Sequence, residues 1–191
     1  RLALLEYGFG VGEGLYTDMN AIRPDEILDN LHSIYVDQWD WEKIMDPECR
    51  NLDTLEETVR LIYGAICRTE FHIASQHANI RPILPEEITF ISSEELCQQY
   101  PDLSPRERED KICAAHRAVF VIGIGGPLPD GGIHDGRAPD YDDWTTPRPD
   151  GGIGLNGDIL LWNPVLERAF EISSMGIRVD ADALRFQLKH H

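Results

Sequence analysis

Long apolar runs, clustered basic residues and paired cysteines are all missing from this chain of 191 residues. No stretch of 18 apolar residues occurs, which excludes a membrane span. Residues 1–10 also lack the basic segment and the apolar core that are typical of a signal peptide. The four cysteines form no C-x-x-C pair. We therefore expect no structural zinc site, and reduced thiols in a cytoplasmic protein.

Basic residues are scarce relative to acidic ones. The chain has 34 acidic and 17 basic residues, a formal net charge of −17. Because neutralising nucleic-acid phosphates requires clustered Lys and Arg, this balance argues against a nucleic-acid-binding surface. The standard nucleotide loops are missing as well: Gly123-Ile124-Gly125-Gly126 is not followed by the Lys-Ser/Thr of a P-loop, and no G-x-S-x-G turn occurs.

The residues that are present indicate a globular protein of mixed secondary structure. Hydrophobic residues make up 42% of a length that suits one domain. Residues 15–23 and 33–41 predict a hairpin with a long loop, and the apolar run 118–124 predicts a central, doubly covered strand. Without strict β–α–β alternation, the pattern favours an α+β fold, a mostly antiparallel sheet with helices packed on it.

Further strands and helices follow from local signals. Three cap signatures predict helix starts: Thr54-x-x-Glu57, Ser92-x-x-Glu95 and Ser104-x-x-Glu107. The remaining predicted elements are strands at 87–91, 157–162, 169–172 and 177–179 and a helix at 180–188.

Residues 125–157 are rich in Gly, Pro and Asp. The pentapeptide Pro-Asp-Gly-Gly-Ile occurs at 129–133 and again at 149–153, which predicts two similar turns. Between them, residues 137–144 mix charged and aromatic side chains. We expect this part of the long loop to cover a site.

Three clusters carry residue types suited to an anionic or amino-acid ligand. Arg23 lies where a predicted strand becomes a loop, and its planar guanidinium can bind a phosphate through two hydrogen bonds. The alternative interpretation is that Arg23 is a surface arginine in a charged turn. Gln38 and Asp40 share a strand face that suits an amino acid or is simply solvated. Between Glu171 and Arg178, acidic residues can hold Mg²⁺, with a structural role for Glu171 as the alternative.

Taken together, six strings resemble the ammonia-dependent asparagine synthetases, also called aspartate–ammonia ligases. They are residues 12–17 (GEGLYT), 23–26 (RPDE), 32–42 (HSIYVDQWDWE), 137–144 (RAPDYDDW), 155–160 (LNGDIL) and 173–180 (SSMGIRVD). The resemblance implies the class II aminoacyl-tRNA synthetase-like antiparallel sheet with flanking helices. It also implies that residues 1–191 are a single catalytic domain and a fragment, lacking the family's N-terminal motif 1 and C-terminal motif 3 parts. A homodimer without a tRNA-binding domain is expected.

The resemblance further implies a two-step reaction with ATP and Mg²⁺. ATP activates the β-carboxylate of aspartate as β-aspartyl-adenylate, and ammonia then attacks to give asparagine and AMP. An inactive paralogue that binds an amino acid or adenylate, and a true aminoacyl-tRNA synthetase core, are the alternatives.

By the same resemblance, the hairpin residues take the following roles. Arg23 corresponds to the motif 2 arginine on the α-phosphate and is expected to be catalytic. Asp25 fills the usual glutamate position, so Glu26 is favoured for a nucleotide contact. Val36 replaces the aromatic residue that stacks on adenine. Gln38 is expected to be catalytic and substrate-binding, Asp40 to hold the substrate ammonium, and Ser33 to bind substrate.

The C-terminal residues complete the implied site. Asp158 and Glu171 are expected to bind ATP and Mg²⁺, and Asp142 to contribute to the reaction of ammonia. Arg178 is expected to bind substrate, as are Ser173 and Ser174. Because the β-carboxylate must face ATP, Arg178 would hold the α-carboxylate, a substrate orientation reversed end for end from that in an aspartyl-tRNA synthetase.

Overall fold

The computed structural model describes residues 2–190 and divides the chain into two compact units, Arg1–Arg50 (unit 1) and Asn51–His191 (unit 2). Unit 1 contains α1 (Leu2–Glu6), β1 (Gly14–Ile22), β2 (Tyr35–Lys43) and a 3-10 turn at Pro47–Cys49. The two strands pair antiparallel without a register shift, from Gly14 opposite Lys43 to Ile22 opposite Tyr35. This confirms the predicted hairpin. The prediction of a single domain stays a prediction.

Unit 2 is built on a four-stranded sheet. Its strands are β3 (Thr89–Ser92), β4 (Ala118–Ile122), β5 (Asn156–Asn163) and β6 (Arg168–Gly176), in the order β3-β4-β5-β6. Only β3 and β4 are parallel; the other two pairings are antiparallel. Every residue of β4 is buried, so the central strand predicted from its apolar run is confirmed.

The helices of unit 2 are α2 (Leu52–Gln76), α3 (Ser93–Gln99), α4 (Pro105–His116) and α5 (Ala181–His190). Ser92 caps α3, and Ser104 forms the predicted capping box of α4 with Glu107. The predicted start of α2 at Thr54 is wrong. Asn51 is the N-cap, its side chain accepting from Thr54 N at 2.9 Å, because an amide oxygen three residues earlier satisfies the first-turn donor equally well.

The main core lies where α3 and α4 meet the sheet, and its buried residues are Ile91, Leu96, Ile112, Cys113, Val119, Val121, Ile124 and Leu160. One strand prediction is wrong: β6 continues past residue 172 and ends at Gly176, and residues 177–179 form no strand but only the isolated bridge of Arg178 with Asp142. No helix among residues 2–190 has the length and apolar character needed to cross a membrane.

The two Pro-Asp-Gly-Gly-Ile segments form the same turn, as predicted. In the first, Leu128 N donates to Gly132 O at 2.9 Å; in the second, Arg148 N donates to Gly152 O at 2.8 Å. Each is closed by an isolated bridge, Pro127 with Ile133 and Pro147 with Ile153. These turns give the long loop a fixed course between β4 and β5, although it contains no regular helix or strand.

Candidate active site

In unit 1, the predicted substrate residues lie along one face of β2. Val36, Gln38 and Asp40 are half-buried, whereas Trp39 and Trp41 point to the opposite, exposed face. The burial alternates because successive side chains of a strand leave it on opposite sides. The face predicted to meet an amino acid therefore consists of an apolar, an amide and a carboxylate side chain in a row.

At the other end of the hairpin, Arg23 begins the loop after β1. Its backbone still donates to Ile34 O at 2.7 Å, so the guanidinium projects from a fixed strand end. One guanidinium nitrogen lies 3.4 Å from Glu26 Oε2, a long contact on an arginine whose side chain is 48% exposed. Such surface pairs contribute little energy, so Arg23 can exchange this partner for a phosphate at small cost. Ser33 Oγ accepts from Tyr35 N at 3.3 Å.

In unit 2, Asp142 and Arg178 meet although 36 residues separate them. Arg178 Nη1 donates to Asp142 Oδ1 at 3.1 Å, and the two backbones form an isolated antiparallel bridge. The Arg178 guanidinium carbon also lies 3.1 Å from the ring centroid of Tyr141, a cation–π contact. The carboxylate is almost fully buried and the guanidinium is one-fifth exposed. Arg178 is thus held from two sides and keeps access to solvent.

Gly176 makes this packing possible. A Cβ atom at residue 176 would lie 2.6 Å from Asn156 Cβ and 2.8 Å from Asp142 Cγ, both inside normal contact distances. Any larger residue would therefore have to displace the side chain of Asn156 or of Asp142. The close approach expected at this glycine brings its backbone against the side chains of Asn156 and Asp142.

A β-bulge arranges the residues between β5 and β6. Ser174 lies opposite Asp158 and Ser173 opposite Ile159, but the register then shifts so that Glu171 lies opposite Leu160. In a regular strand Glu171 and Ser174, three residues apart, would face opposite ways. Opposite residues of an antiparallel pair share a face, so the bulge turns Glu171 to the face that carries Asp158 and Ser174.

Asp158 is buried and forms an ion pair with Arg137. Burial raises the pKa of Asp158 to about 7; the charge of Arg137 and a hydrogen bond from Ser174 oppose that shift, and the charge of Glu171 adds to it. Burial also tends to lower the pKa of Arg137, but the carboxylates of Asp158, Asp142 and Glu171 outweigh it and leave that pKa raised. Arg137 is therefore a half-buried cation whose charge interacts with three acidic residues.

Arg137 lies in the string 137–144 that resembles the family, but the sequence predicts no role for it in the site. Its ion-pair partner, Asp158, is 21 residues away in the chain, so no local sequence pattern predicts the contact. Gly125 makes room for it, since a Cβ there would lie 2.8 Å from Arg137 Cβ and 3.2 Å from Trp144 Cδ1. The buried Nε of Arg137 and the indole Nε1 of Trp144 have no hydrogen-bond partner. The glycines that follow β4, Gly125 among them, are the sequence signal that could have indicated a close contact here.

Unit 2 thus brings together Asp142 with Arg178 and, on neighbouring strands, Asp158 with Ser174 and Glu171. Among residues 2–190, no three His, Cys, Asp or Glu side chains form a complete metal site. The pair Asp158 and Glu171 nevertheless fits Mg²⁺, which is usually held by one or two carboxylates together with substrate phosphates and water. The assignment of all these residues to a site stays a prediction.

Comparison with known proteins places the chain in context. All 191 residues match the family described as Aspartate-ammonia ligase. Two curated relatives named Aspartate--ammonia ligase, from Clostridium perfringens strains ATCC 13124 and SM101, are each 60% identical over 189 residues. The match covers 99% of this chain and 54% of each relative, so the chain spans about half the length of the curated relatives it matches.

A solved structure shares the fold. Asparaginyl-tRNA synthetase of Entamoeba histolytica, in complex with asparaginyl-adenylate, matches with a TM-score of 0.59 and 13% sequence identity, over 93% of this chain and 41% of that one. The predicted α+β fold of the class II synthetase type is confirmed. At this identity the likeness concerns the fold alone.

Proposed function

The chain belongs to the aspartate–ammonia ligase family, and from this we propose that the protein makes L-asparagine from L-aspartate, ammonia and ATP. A β-carboxylate oxygen of aspartate attacks the α-phosphorus of ATP, and the bond to the leaving pyrophosphate breaks. Ammonia then attacks the acyl carbon of β-aspartyl-adenylate, loses a proton, and expels AMP. The observation that carries the proposal is the 60% identity to aspartate–ammonia ligases over nearly the whole chain.

The held arginine supports the binding of aspartate in the required orientation. We assign the α-carboxylate to Arg178, whose guanidinium is fixed by Asp142 and Tyr141 and remains partly exposed. Planar guanidinium groups bind carboxylates through two parallel hydrogen bonds. The substrate ammonium is assigned to Asp40, and Gln38, on the same strand face, is assigned to the β-carboxylate end. This orientation leaves the β-carboxylate of aspartate free to react with ATP.

ATP is assigned to the loop end of the hairpin. Arg23 would hold the α-phosphate and stabilise the negative charge that develops as pyrophosphate leaves, which is a large electrostatic contribution when the donor is fixed in advance. Its weak contact with Glu26 supports this role, because little has to be given up when the phosphate binds. Glu26 and Val36 are assigned to the nucleotide.

Asp158 and Glu171 are assigned to Mg²⁺. When bound, the ion neutralises phosphate charge and orients the triphosphate. The half-buried Arg137 balances the acidic residues and holds Asp158 in place. The bulge in β6 supports the assignment, since it directs Glu171 to the face of Asp158. Ser173 and Ser174 are assigned to substrate, with Ser174 also donating to Asp158.

The proposal is tested by product analysis. The full-length protein, supplied with aspartate, ATP, Mg²⁺ and an ammonium salt, should form asparagine, AMP and pyrophosphate in equal amounts. Binding of aspartate and ATP without any product would favour the inactive paralogue, and charging of tRNA would favour a synthetase core.

A homodimer is also proposed, and light scattering at micromolar concentration measures the oligomeric state directly.

A further inference from the structure

Gln187 is completely buried although most of its helix, α5, is exposed. Buried amides need partners for both the nitrogen and the oxygen, and here both have two. Nε2 donates to the carbonyl oxygens of Pro139 and Asp142, each at 3.0 Å. Oε1 accepts from Trp144 N at 3.0 Å and from Thr145 Oγ1 at 3.2 Å. Every one of these partners belongs to the segment 139–145, which carries Asp142.

The pattern of these bonds resembles that of a β-ladder. Asp142 O and Trp144 N, two residues apart, lie on one edge of an extended segment, and the single carboxamide of Gln187 pairs with both. The other edge pairs with backbone: Val179 N donates to Tyr141 O at 3.1 Å, and Asp143 N donates to Ile177 O at 3.0 Å. Residues 141–144 thus lie between the backbone of residues 177–179 on one edge and the Gln187 side chain, which takes the place of a second backbone, on the other.

Only a carboxamide can imitate a peptide group in this way, because it presents one donor and one acceptor in one plane. A carboxylate of the same size would turn an oxygen towards two carbonyl oxygens, and an apolar side chain would leave three backbone groups unsatisfied. The identity of residue 187 therefore determines whether the outer edge of residues 141–144 is paired.

We propose that Gln187 is a positioning residue for the aspartate site: its carboxamide completes the ladder around residues 141–144 and so fixes the Asp142 carboxylate against Arg178. The inference rests on the proposed function, because Arg178 is assigned to the α-carboxylate of aspartate there. Gln187 does not touch substrate and acts through Asp142 and Arg178.

Two variants and one matched control test the proposal in the full-length protein. Gln187→Met removes donor and acceptor at similar length, and Gln187→Glu keeps the acceptor and removes the donor. The control is Asn163→Ala. Asn163 Oδ1 also accepts two backbone bonds, from Val165 N at 3.0 Å and Leu166 N at 3.1 Å, but at the turn between β5 and β6. All three changes remove side-chain hydrogen bonds to backbone, and only two of them act on residues 139–145.

Calorimetric titration separates positioning from general stability. The titrations are made well below the melting temperature of each variant. Gln187→Met should weaken aspartate binding at least tenfold and leave ATP binding within threefold. Asn163→Ala should leave both within threefold while lowering the melting temperature. Equal weakening of both ligands by Gln187→Met, or no weakening of either, would overturn the proposal. If Gln187→Met does not fold, Gln187→Glu is judged by the same criteria.

A double-variant cycle tests whether Gln187 acts through Asp142. In an Asp142→Asn background, adding Gln187→Met should weaken aspartate binding by less than threefold, since the ion pair to be positioned is already lost. Full additivity would contradict the inference.

Hydrogen exchange provides a readout that needs no ligand. In Gln187→Met, the amide of Trp144 should exchange at least tenfold faster than in the wild type, and Asn163→Ala should leave it unchanged. Unchanged exchange in Gln187→Met would overturn the clamp, the set of four hydrogen bonds from the Gln187 carboxamide to residues 139–145. Absence of aspartate binding by the wild type would instead contradict the proposed function, and exchange would still report on the clamp itself.

Discussion

Asp142 and Arg178 are joined twice, by an ion pair at 3.1 Å between their side chains and by an antiparallel bridge between their backbones. The bridge sets the position of the two Cα atoms, and the ion pair then sets the direction of the guanidinium. An arginine held in this way loses little conformational entropy when a carboxylate binds to it. This arrangement makes Arg178 suited to the recognition of an amino-acid carboxylate.

Replacing Arg178 by Ala should therefore weaken aspartate binding by about 30-fold or more, because truncating one partner of a buried charged pair costs about 2–5 kcal/mol. ATP binding should change by no more than a few-fold. Calorimetry on the full-length protein measures both. Arg185→Ala, which removes a strongly exposed arginine paired with Asp182, is the control and should change neither.

The orientation of the substrate is tested with β-alanine, which keeps the amine and the reacting carboxylate but lacks the α-carboxylate. It should bind poorly to the wild type and be nearly indifferent to Arg178→Ala. Equal losses for aspartate and β-alanine would show that Arg178 touches the reacting carboxylate, contrary to the proposed orientation.

Arg23→Lys should lower kcat by about 100-fold, since a point charge cannot reproduce a planar, two-pronged contact with the α-phosphate. Steady-state kinetics of pyrophosphate release measure the change. Arg60→Lys alters an exposed arginine paired with Glu56 on α2 and should leave kcat unchanged. Near-wild-type turnover in Arg23→Lys would remove Arg23 from the mechanism.

Gly176→Ala should both destabilise the fold and weaken aspartate binding, because the new Cβ would lie 2.8 Å from Asp142 Cγ. Overpacking of this kind costs about 1–3 kcal/mol. Gly136→Ala is a matched control, since a Cβ at residue 136 meets no atom within 4 Å. Thermal melts and aspartate titrations compare the two variants; equal behaviour would mean that the site tolerates the displacement of Asp142.

The raised pKa of Asp158 predicts a pH dependence for the ligand-free protein. Because the folded pKa, about 7, exceeds the unfolded value near 3.8, the folded state binds more protons between these limits. The stability that Asp158 contributes is therefore present at low pH and is lost as the pH rises from about 4 to about 7. Asp158→Asn should remove a slope on the order of 1 kcal/mol per pH unit from the unfolding free energy. Denaturant unfolding at several pH values measures this slope. The same slope in the wild type and in Asp158→Asn would contradict the raised pKa of Asp158.

Features set by neighbouring residues were predictable from the sequence. The hairpin, the twin turns and the caps of α3 and α4 depend on alternation, on Pro-Asp-Gly chemistry and on a serine three residues before a glutamate. The cap of α2 was misplaced because Asn51 and Thr54 are both competent caps and the sequence does not rank them.

Contacts between distant segments were not predictable in the same way. Regular alternation places Glu171 and Ser174 on opposite faces, and only the pairing with β5 reveals the bulge that brings them to one face. The ion pair of Arg137 with Asp158 and the clamp of Gln187 on Asp142 join residues 21 and 45 positions apart. A glutamine four residues after a buried alanine on α5 was the one local sign of the clamp.

The proposed reaction begins with attack by the β-carboxylate of aspartate on the α-phosphate of ATP. Aspartate labelled with ¹⁸O in both β-carboxylate oxygens tests it directly when the products of the full-length enzyme are analysed by mass spectrometry. One ¹⁸O atom is expected in AMP and the other in the side-chain amide of asparagine. Unlabelled AMP, or formation of ADP with the label in inorganic phosphate, would contradict it.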